Sequence, residues 1–456
     1  MPESSATPSP PSQDSSSSLR YRIEESPKTA SETLFYAWQH TMVDISPFVV
    51  PLAVASAVGM TDLGKASLIN ACLFTMGIAT LFQTTFGNRL PIVQGCSAMV
   101  TGVIAPVAGQ LGLAAIWGAV WIASAAQTAI GALGWLSPLR RLFPPVVIGT
   151  VILCIGLSLS QVAIRLCVGN GDWTNLLMAF ITIASVLVFQ LRLKNVLDGL
   201  LSRGAILISI ILVGLIGGTL FGQINWDPVK DAAWIALPQF FPYGGPGFGW
   251  VWVPTAILAI TIGFIGSIVE SMGDYAATCA ASDEPLEKKH LNKGIMAEGV
   301  GSFVASIFGG LPCTSYTQNI GVIAATGVAS RRVVQIAATI LGLYGLCPKC
   351  GALLVALPRS VLGGIFLLVC AMICLSGIRI LSRSLGGNKN AYIIGLTVLI
   401  SMMLPNRLSA MPEVIKSWPL LLRMLATNSV ILAVVLAIGL NSITSWLDGE
   451  VDRDQK

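Results

Sequence analysis

From residue 33 to residue 445 the chain is a succession of apolar runs, most of them about 20 residues long, separated by short joints rich in charge, Gly or Pro. A helix of about 20 residues is what crosses the hydrocarbon of a bilayer. Fourteen such runs are read, centred near residues 50, 75, 98, 122, 154, 182, 212, 262, 301, 320, 340, 368, 397 and 433. A chain of 456 residues has no water-soluble core that could hide them all. Lipid must be the solvent for much of their surface. The charge content agrees: 11% of residues are Asp, Glu, Lys or Arg, against roughly 25% in soluble domains. The predicted fold class is an all-α polytopic membrane protein embedded in a lipid bilayer.

The runs near residues 98 and 320 break the pattern. Both are short and polar, and Gly, Pro, Ser or Thr interrupts both. They also sit at matching places. Phe86-Gly87-Asn88-Arg89-Leu90-Pro91 opens the third run, and Phe308-Gly309-Gly310-Leu311-Pro312 opens the tenth. Pro144-x-x-Val147-x-Gly149 opens the fifth, and Pro358-x-x-Val361-x-Gly363 the twelfth. Two seven-run halves in register follow, at residues 33–225 and 226–445. Seven is odd, so the second half must be inverted in the membrane. Inverted repeats with paired, broken segments are the sequence signature of a secondary transporter. Each short run is predicted as a brief extended stretch leading into a half-helix. The stretches are Gln94-Gly95-Cys96-Ser97-Ala98 and Thr314-Ser315-Tyr316-Thr317-Gln318-Asn319. Non-helical backbone at membrane depth survives only where it is buried in protein or lines a cavity.

The two ends are read from composition and charge. Residues 1–32 are Ser- and Pro-rich and are predicted as a disordered cytoplasmic tail, without the basic-then-apolar order of a signal peptide. Residues 446–456 form a short C-terminal tail. With the N-terminus inside, roughly two-thirds of the 27 Lys and Arg fall on inner joints, among them Arg140, Arg141, Arg192, Lys194, Lys288, Lys289 and Lys293. That bias predicts a multi-pass protein of the inner or plasma membrane with both termini cytoplasmic. The formal charge of +5 is scattered and forms no basic patch, so no nucleic-acid partner is expected.

Acidic residues inside apolar runs are the chemical signal. Glu270-Ser271-Met272-Gly273-Asp274 closes an uncharged stretch over residues 255–269, and Glu270 and Asp274, four apart, share a helix face. Glu298 lies in the following run. Such acids are costly in a membrane and usually face a cavity or proton path. No Lys or Arg lies deep enough to pair with them. Glu270 can accept from two ring N–H groups, and Gln318 offers a donor and an acceptor to an amide edge. Backbone N–H groups at the two half-helix starts can hold exocyclic oxygens. Asp274 is positioned to take a coupling proton. These parts suit a neutral, planar, hydrogen-bonding solute. His40, at the start of the first run, is read foremost as a hydrogen-bonded packing residue.

Several of these motifs resemble the nucleobase–ascorbate transporters, also called nucleobase–cation symporter-2 proteins, over residues 33 to 445. Gln318-Asn319-Ile320-Gly321-Val322-Ile323-Ala324-Ala325-Thr326-Gly327-Val328-Ala329-Ser330-Arg331 is similar to the family signature of the tenth span. Glu270 to Tyr275 is similar to the eighth-span motif, Gln39-His40 to the first span, and Val93-Gln94-Gly95-x-Ser97 to the third. The resemblance implies fourteen spans in two inverted repeats, a core domain beside a gate domain, and an elevator-like motion in a homodimer. It implies that Glu270 and Gln318 hold the base, helped by backbone near Ala98 and Thr317, with Tyr316 and Asn319 beside them. Asp274 falls on the coupling position, and Glu298, where the family usually has Asp, and His40, on a structurally important His, are expected beside it as proton-coupling residues. Proton coupling is expected, with no cofactor. Gln318 points to a purine such as xanthine or uric acid, since uracil carriers carry Glu there. Ala98 stands where Phe is frequent, and Ile320 replaces an Asn common in xanthine carriers.

Other classes fit less well. A sulfate-type anion carrier of the same fold would not be expected to surround its site with acids. An intramembrane enzyme would show HExxH, GxSxG or paired Asp, and none is present. Cys347 and Cys350 form one CxxC pair with no second pair or His cluster, so no metal site is predicted. A channel tolerates broken helices, but buried acids in inverted repeats favour alternating access.

Overall fold

The computed structural model describes residues 19–44, 49–136, 144–193, 204–243, 251–382, 386 and 388–447. Most of it is helix. The first half runs α1 (Ala30–Val43), α2 (Val49–Ala57), α3 (Asp62–Thr85), β1 (Gln94–Cys96), α4 (Ala98–Leu111), α5 (Leu113–Leu133), α6 (Pro145–Val168), α7 (Trp173–Leu187) and α8 (Ala205–Leu220). The second runs α9 (Pro254–Ala281), α10 (Lys288–Ile307), β2 (Cys313–Ser315), α11 (Thr317–Thr326), α12 (Arg331–Gly345), α13 (Pro348–Ala356), α14 (Arg359–Ser382), α15 (Asn388–Ser409) and α16 (Ser429–Leu447).

Each half thus places one short strand among its helices, and the packing between the halves is reciprocal. Helix α5 packs on α10, and α12 packs on α3. Likewise α4 and α5 pack on α9, while α11 and α12 pack on α1. Helices α6 and α14, whose starts carry the matched Pro-x-x-Val-x-Gly motifs, pack on each other. Small residues set that crossing: a Cβ on Gly377 would lie 2.7 Å from the Leu153 nitrogen and 2.8 Å from the Gly149 carbonyl oxygen. Without a hydrophobic force between helices in lipid, such close backbone approach is what drives association. Two helix groups result. One gathers α1, α3, α4, α5 and α9 to α12; the other gathers α6, α7, α8 and α14 to α16. Contacts within each group are denser than those between them.

β1 and β2 meet inside the first group. They pair antiparallel, with Gln94 opposite Ser315, Gly95 opposite Thr314 and Cys96 opposite Cys313. The ladder extends by Ser97 N–H donating to the Pro312 carbonyl (2.8 Å) and Tyr316 N–H to the Val93 carbonyl (3.0 Å). Every residue of both strands is buried. Pairing the two interruptions with each other satisfies backbone groups that neither could satisfy alone. The predicted extended stretch at 314–319 is shorter than expected: α11 starts at Thr317, so Thr317, Gln318 and Asn319 occupy its first turn.

Eight described helices are long and apolar enough to cross a bilayer, or nine if α12 and α13, bent by 76°, form one broken span. Length and apolarity alone thus do not reach fourteen. The other predicted segments, α1 with α2, α4, α10 and α11 among them, are short or polar, and several of these carry the candidate site.

The tail expected over residues 1–32 needs correction. Residues 1–18 lie outside the described residues. Beyond them, the Arg20 and Tyr21 N–H groups donate to the Gly327 carbonyl at 2.7 and 3.2 Å. Ala329 N–H donates to the Tyr21 carbonyl and Arg331 N–H to that of Ile23, both at 2.9 Å. Glu24 pairs with Arg331 and, at 3.6 Å, with Arg89. Helix α1 then begins at Ala30, capped by the Thr29 hydroxyl. A polar composition suggests disorder only when the segment finds no partner, and here the loop between α11 and α12 provides one. Helix α16 runs to Leu447, and residues 448–456 lie outside the described residues.

Candidate functional site

Helix α9 brings its acids against the strand pair. Asp274, 6% exposed, accepts from the Ser315 hydroxyl through Oδ2 (2.9 Å) and from the Thr317 hydroxyl through Oδ1 (2.8 Å). It therefore ties α9 to the end of β2 and the start of α11. One turn earlier, Ser271 and Thr314 share a hydroxyl hydrogen bond of 3.0 Å. On the β1 side, Ser97 caps α4 by accepting from Val100 N–H (3.3 Å) and donates to Ser267 of α9 (3.1 Å). A ladder of hydroxyls thus fastens one helix to both interruptions.

Glu298, 1% exposed, comes from α10 to the back of the strand pair. Its Oε1 accepts from the Tyr275 hydroxyl (2.6 Å) and the Ser315 N–H (3.0 Å), and its Oε2 accepts from Gln127 (3.3 Å). The Tyr275 hydroxyl in turn accepts from Gln83 at 3.1 Å. Tyr275, Ser315 and Gln127 thus all donate to the Glu298 carboxyl group, so both of its oxygens have a partner. Among the described residues no Lys or Arg forms an ion pair with Glu270, Asp274 or Glu298.

Glu270 differs from its two neighbours. Its Oε2 is buried and has no hydrogen-bond partner among the described residues. Gln318, second residue of α11, is partly buried, and Ala98, first residue of α4, is also partly buried. Tyr316 packs its ring across Gly95 of β1 and donates to the Cys96 carbonyl at 3.4 Å. It occupies the N-cap of α11 without capping that helix with its side chain, so the first N–H groups of α11 keep no side-chain acceptor. The buried amide of Gln94 also has neither atom bonded to a described residue.

Each residue predicted from the sequence can now be placed. Asp274, Thr317, Glu298 and Tyr316 gather around the strand pair, together with Glu270 on the adjoining turn of α9. Asn319 points away from Thr317 around the helix and meets His40, with Nδ2 3.1 Å from the His40 Nδ1 and 3.4 Å from its carbonyl oxygen. His40 is buried and bonded, as a packing residue would be. Sequence reasoning missed Ser315, Ser271, Tyr275 and Gln127 as members of the network. Their types are unremarkable within apolar runs, and only the packing of separate helices and strands brings them to the acids. Asp44 was also missed, although a signal existed: it is an acid one helical turn after His40 in the first apolar run. The ten cysteines are unbridged, and the described residues contain no group of three or more His, Cys, Asp or Glu placed to hold a metal ion.

Known proteins match this architecture along most of the chain. A family model described as a permease family matches residues 31–409. The xanthine permease of Bacillus subtilis is 31% identical over 424 residues, covering 90% of this chain and 93% of that protein. The uric acid permease PucK of the same organism is 32% identical, covering 86% and 91%. The uric acid transporter UacT of Escherichia coli is 32% identical, covering 88% and 84%. Among solved structures, the transmembrane domain of the cyanobacterial bicarbonate transporter BicA matches with a TM-score of 0.58 at 16% identity, covering 92% of this chain and all of that one. Murine Slc26a9, an anion transporter in the inward-facing state, matches at 0.64 and 11% identity, covering 93% and 70%. At such identities these two establish the fold alone. The sequence relatives carry the rest: the chain belongs to the nucleobase–ascorbate transporter family of multi-pass membrane permeases, transporters and not enzymes.

Proposed function

We propose that this protein imports a purine base, with xanthine and uric acid the leading substrates, by proton-coupled symport across the plasma membrane. The reading rests first on one observation: Glu270 presents a buried carboxylate oxygen with no described protein partner beside two paired strands that each lead into a helix start. An unpaired acceptor of that kind suits a ring N–H from a substrate, because a buried acceptor left unmade costs about 1–3 kcal/mol. Gln318 pairs with the amide edge of the base, and the N–H groups opening α4 at Ala98 and α11 at Thr317 take its carbonyl oxygens. Asp274, held by two hydroxyls that a proton would release, serves as the coupling acid.

The relatives named as xanthine and uric acid carriers support the purine assignment. Gln318 favours it over uracil, and the acids Glu270, Asp274 and Glu298 disfavour an anion of the sulfate type. The sparse contacts between the two helix groups fit an elevator motion of the group holding the strand pair against the other, within a homodimer whose termini are cytoplasmic. Competition uptake decides the matter: in cells lacking their own base carriers, unlabelled xanthine and urate should suppress labelled xanthine uptake, and a protonophore should abolish accumulation. Uptake competed only by uracil, or by sulfate, would overturn the assignment.

A further inference from the structure

One motif of the sequence has no part in the transport reading: Cys347-Pro348-Lys349-Cys350. Of the ten cysteines, seven are buried and three, Cys347, Cys350 and Cys374, are partly exposed. Cys96 and Cys313 stand opposite each other in the strand pair, but each is 2% exposed and closed to a reagent. Cys374 lies within α14, against the Leu153 carbonyl of α6. Cys347 and Cys350 are therefore the two partly exposed cysteines that adjoin each other.

The backbone sets their side chains together. Cys347 is the N-cap of α13, with φ −107° and ψ 94°, Pro348 opens the helix, and Cys350 is its third residue. Proline suits the first position because its missing N–H would find no helical acceptor there. Cys350 N–H donates to the Cys347 carbonyl oxygen at 2.9 Å. A turn closed between residues i and i+3 keeps their α-carbons within about 7 Å, and a disulfide joins α-carbons about 4.4–6.8 Å apart. Side chains at the N-cap and third positions share one side of the first turn, as a capping box requires. Here both are thiols, and they interact with each other.

The turn is anchored from two directions. Asn70 of α3 donates to the Pro348 carbonyl (3.2 Å) and accepts from the Gly351 N–H (3.0 Å). Lys349 Nζ donates to the Val229 carbonyl (2.6 Å) and lies 5.0 Å from the centroid of the Trp234 ring. Val229 and Trp234 belong to the connection from α8 to α9, which carries the chain from one helix group to the other. The motif thus sits at the 76° bend between α12 and α13 and holds that crossover.

We propose that Cys347 and Cys350 form a reversible disulfide site whose reaction partner is a low-molecular-weight disulfide of the glutathione type. One thiol of the pair attacks the incoming disulfide as its thiolate. A mixed disulfide forms, and one glutathione leaves and takes up the proton. The second thiolate attacks the protein sulfur of the mixed disulfide, which closes the Cys347–Cys350 bond and releases the second glutathione. The pair loses two electrons and two protons, and the partner gains both as two thiols. The closed ring fixes the bend at the point where Lys349 holds the crossover. The side of the membrane rests on the topology proposed above: with both termini cytoplasmic, the motif lies outside, where disulfides persist.

The purified full-length protein in lipid, reduced and then exposed to oxidised glutathione, tests the site. After chymotryptic digestion, the peptide holding residues 347–350 should have lost its two thiol hydrogens and resist alkylation, and a dithiol reductant should restore both thiols. Cys347→Ser and Cys350→Ser each leave one partner and should stop at a glutathione adduct on the remaining cysteine. Two separate adducts on Cys347 and Cys350 of the wild-type protein, or two free thiols after the exposure, overturn the proposal. In intact cells a membrane-impermeant maleimide should label this peptide only after reduction. A bridge that forms in the purified protein but is never labelled from outside supports the disulfide site and removes the outward topology.

Discussion

Gly95→Ala is the substitution for which the geometry gives the sharpest expectation. Gly95 lies in β1, opposite Thr314, with the Tyr316 ring across it. A Cβ there would fall on the ring atoms Cζ and Cε2 and 2.5 Å from the hydroxyl oxygen. Non-bonded carbons settle at about 3.5–4.0 Å, so the ring must retreat by more than an ångström. It has little room, being 5% exposed, with its backbone N–H tied to Val93 and its hydroxyl to Cys96. Overpacking of this kind costs about 1–3 kcal/mol, or about 5- to 150-fold in an equilibrium. Because Tyr316 immediately precedes α11, the displacement moves Thr317 and Gln318 with it. Initial uptake rates at matched surface expression should fall by about 5- to 150-fold, and the thermal midpoint of the purified protein should drop. The control is Gly95→Ala with Tyr316→Ala. Tyr316→Ala alone should cost about 3–5 kcal/mol through its cavity, but the pair should cost less than the sum, because the clash is gone. Strict additivity, or wild-type uptake and midpoint in Gly95→Ala, would refute the packing argument.

Three further outcomes are expected. Glu270→Gln and Gln318→Ala should each abolish uptake while membrane insertion and the thermal midpoint stay near wild type, because neither side chain is hydrogen bonded to another described residue; normal transport in both would remove them from the site. Asp274→Asn exchanges one of two acceptors for a donor, so one of the Ser315 and Thr317 hydroxyls loses its acceptor; accumulation should lose its pH dependence at a stability cost of about 1–3 kcal/mol, and an unchanged pH profile would count against its coupling role. Glu24→Ala breaks exposed ion pairs to Arg89 and Arg331 and should lower stability by no more than about 1 kcal/mol, read as a small midpoint shift that salt diminishes.

Much of the fold was legible because lipid imposes a simple rule. A spanning segment must satisfy its backbone internally and present apolar side chains, so hydropathy and length alone locate α3, α5, α6, α7, α9, α14, α15 and α16. The same rule exposes its own exceptions: two segments too short and polar to span, and three acids where lipid would reject them. Glu270, Asp274, Glu298 and Gln318 were therefore readable as site candidates from one dimension. The partners of those acids were not. Glu298 is held by Gln127 of α5, Tyr275 of α9 and the backbone of Ser315, residues whose types are common in any span and whose separation along the chain conceals their contact.

Residues 19–32 show the limit on the polar side. Composition reads them as tail, yet a neighbouring loop supplies the hydrogen-bond acceptors and donors that composition cannot count. The sequence by itself determined the solvent, the helical class and the acidic character of the candidate site, since each depends on residue type and spacing. Tertiary structure alone decided which strand pairs with which, where α11 begins, and that Asn319 turns to α1 while Thr317 turns to α9. Those outcomes depend on the relative placement of elements from 43 to 279 residues apart, and hydrogen-bond geometry between separate elements leaves no trace in local periodicity.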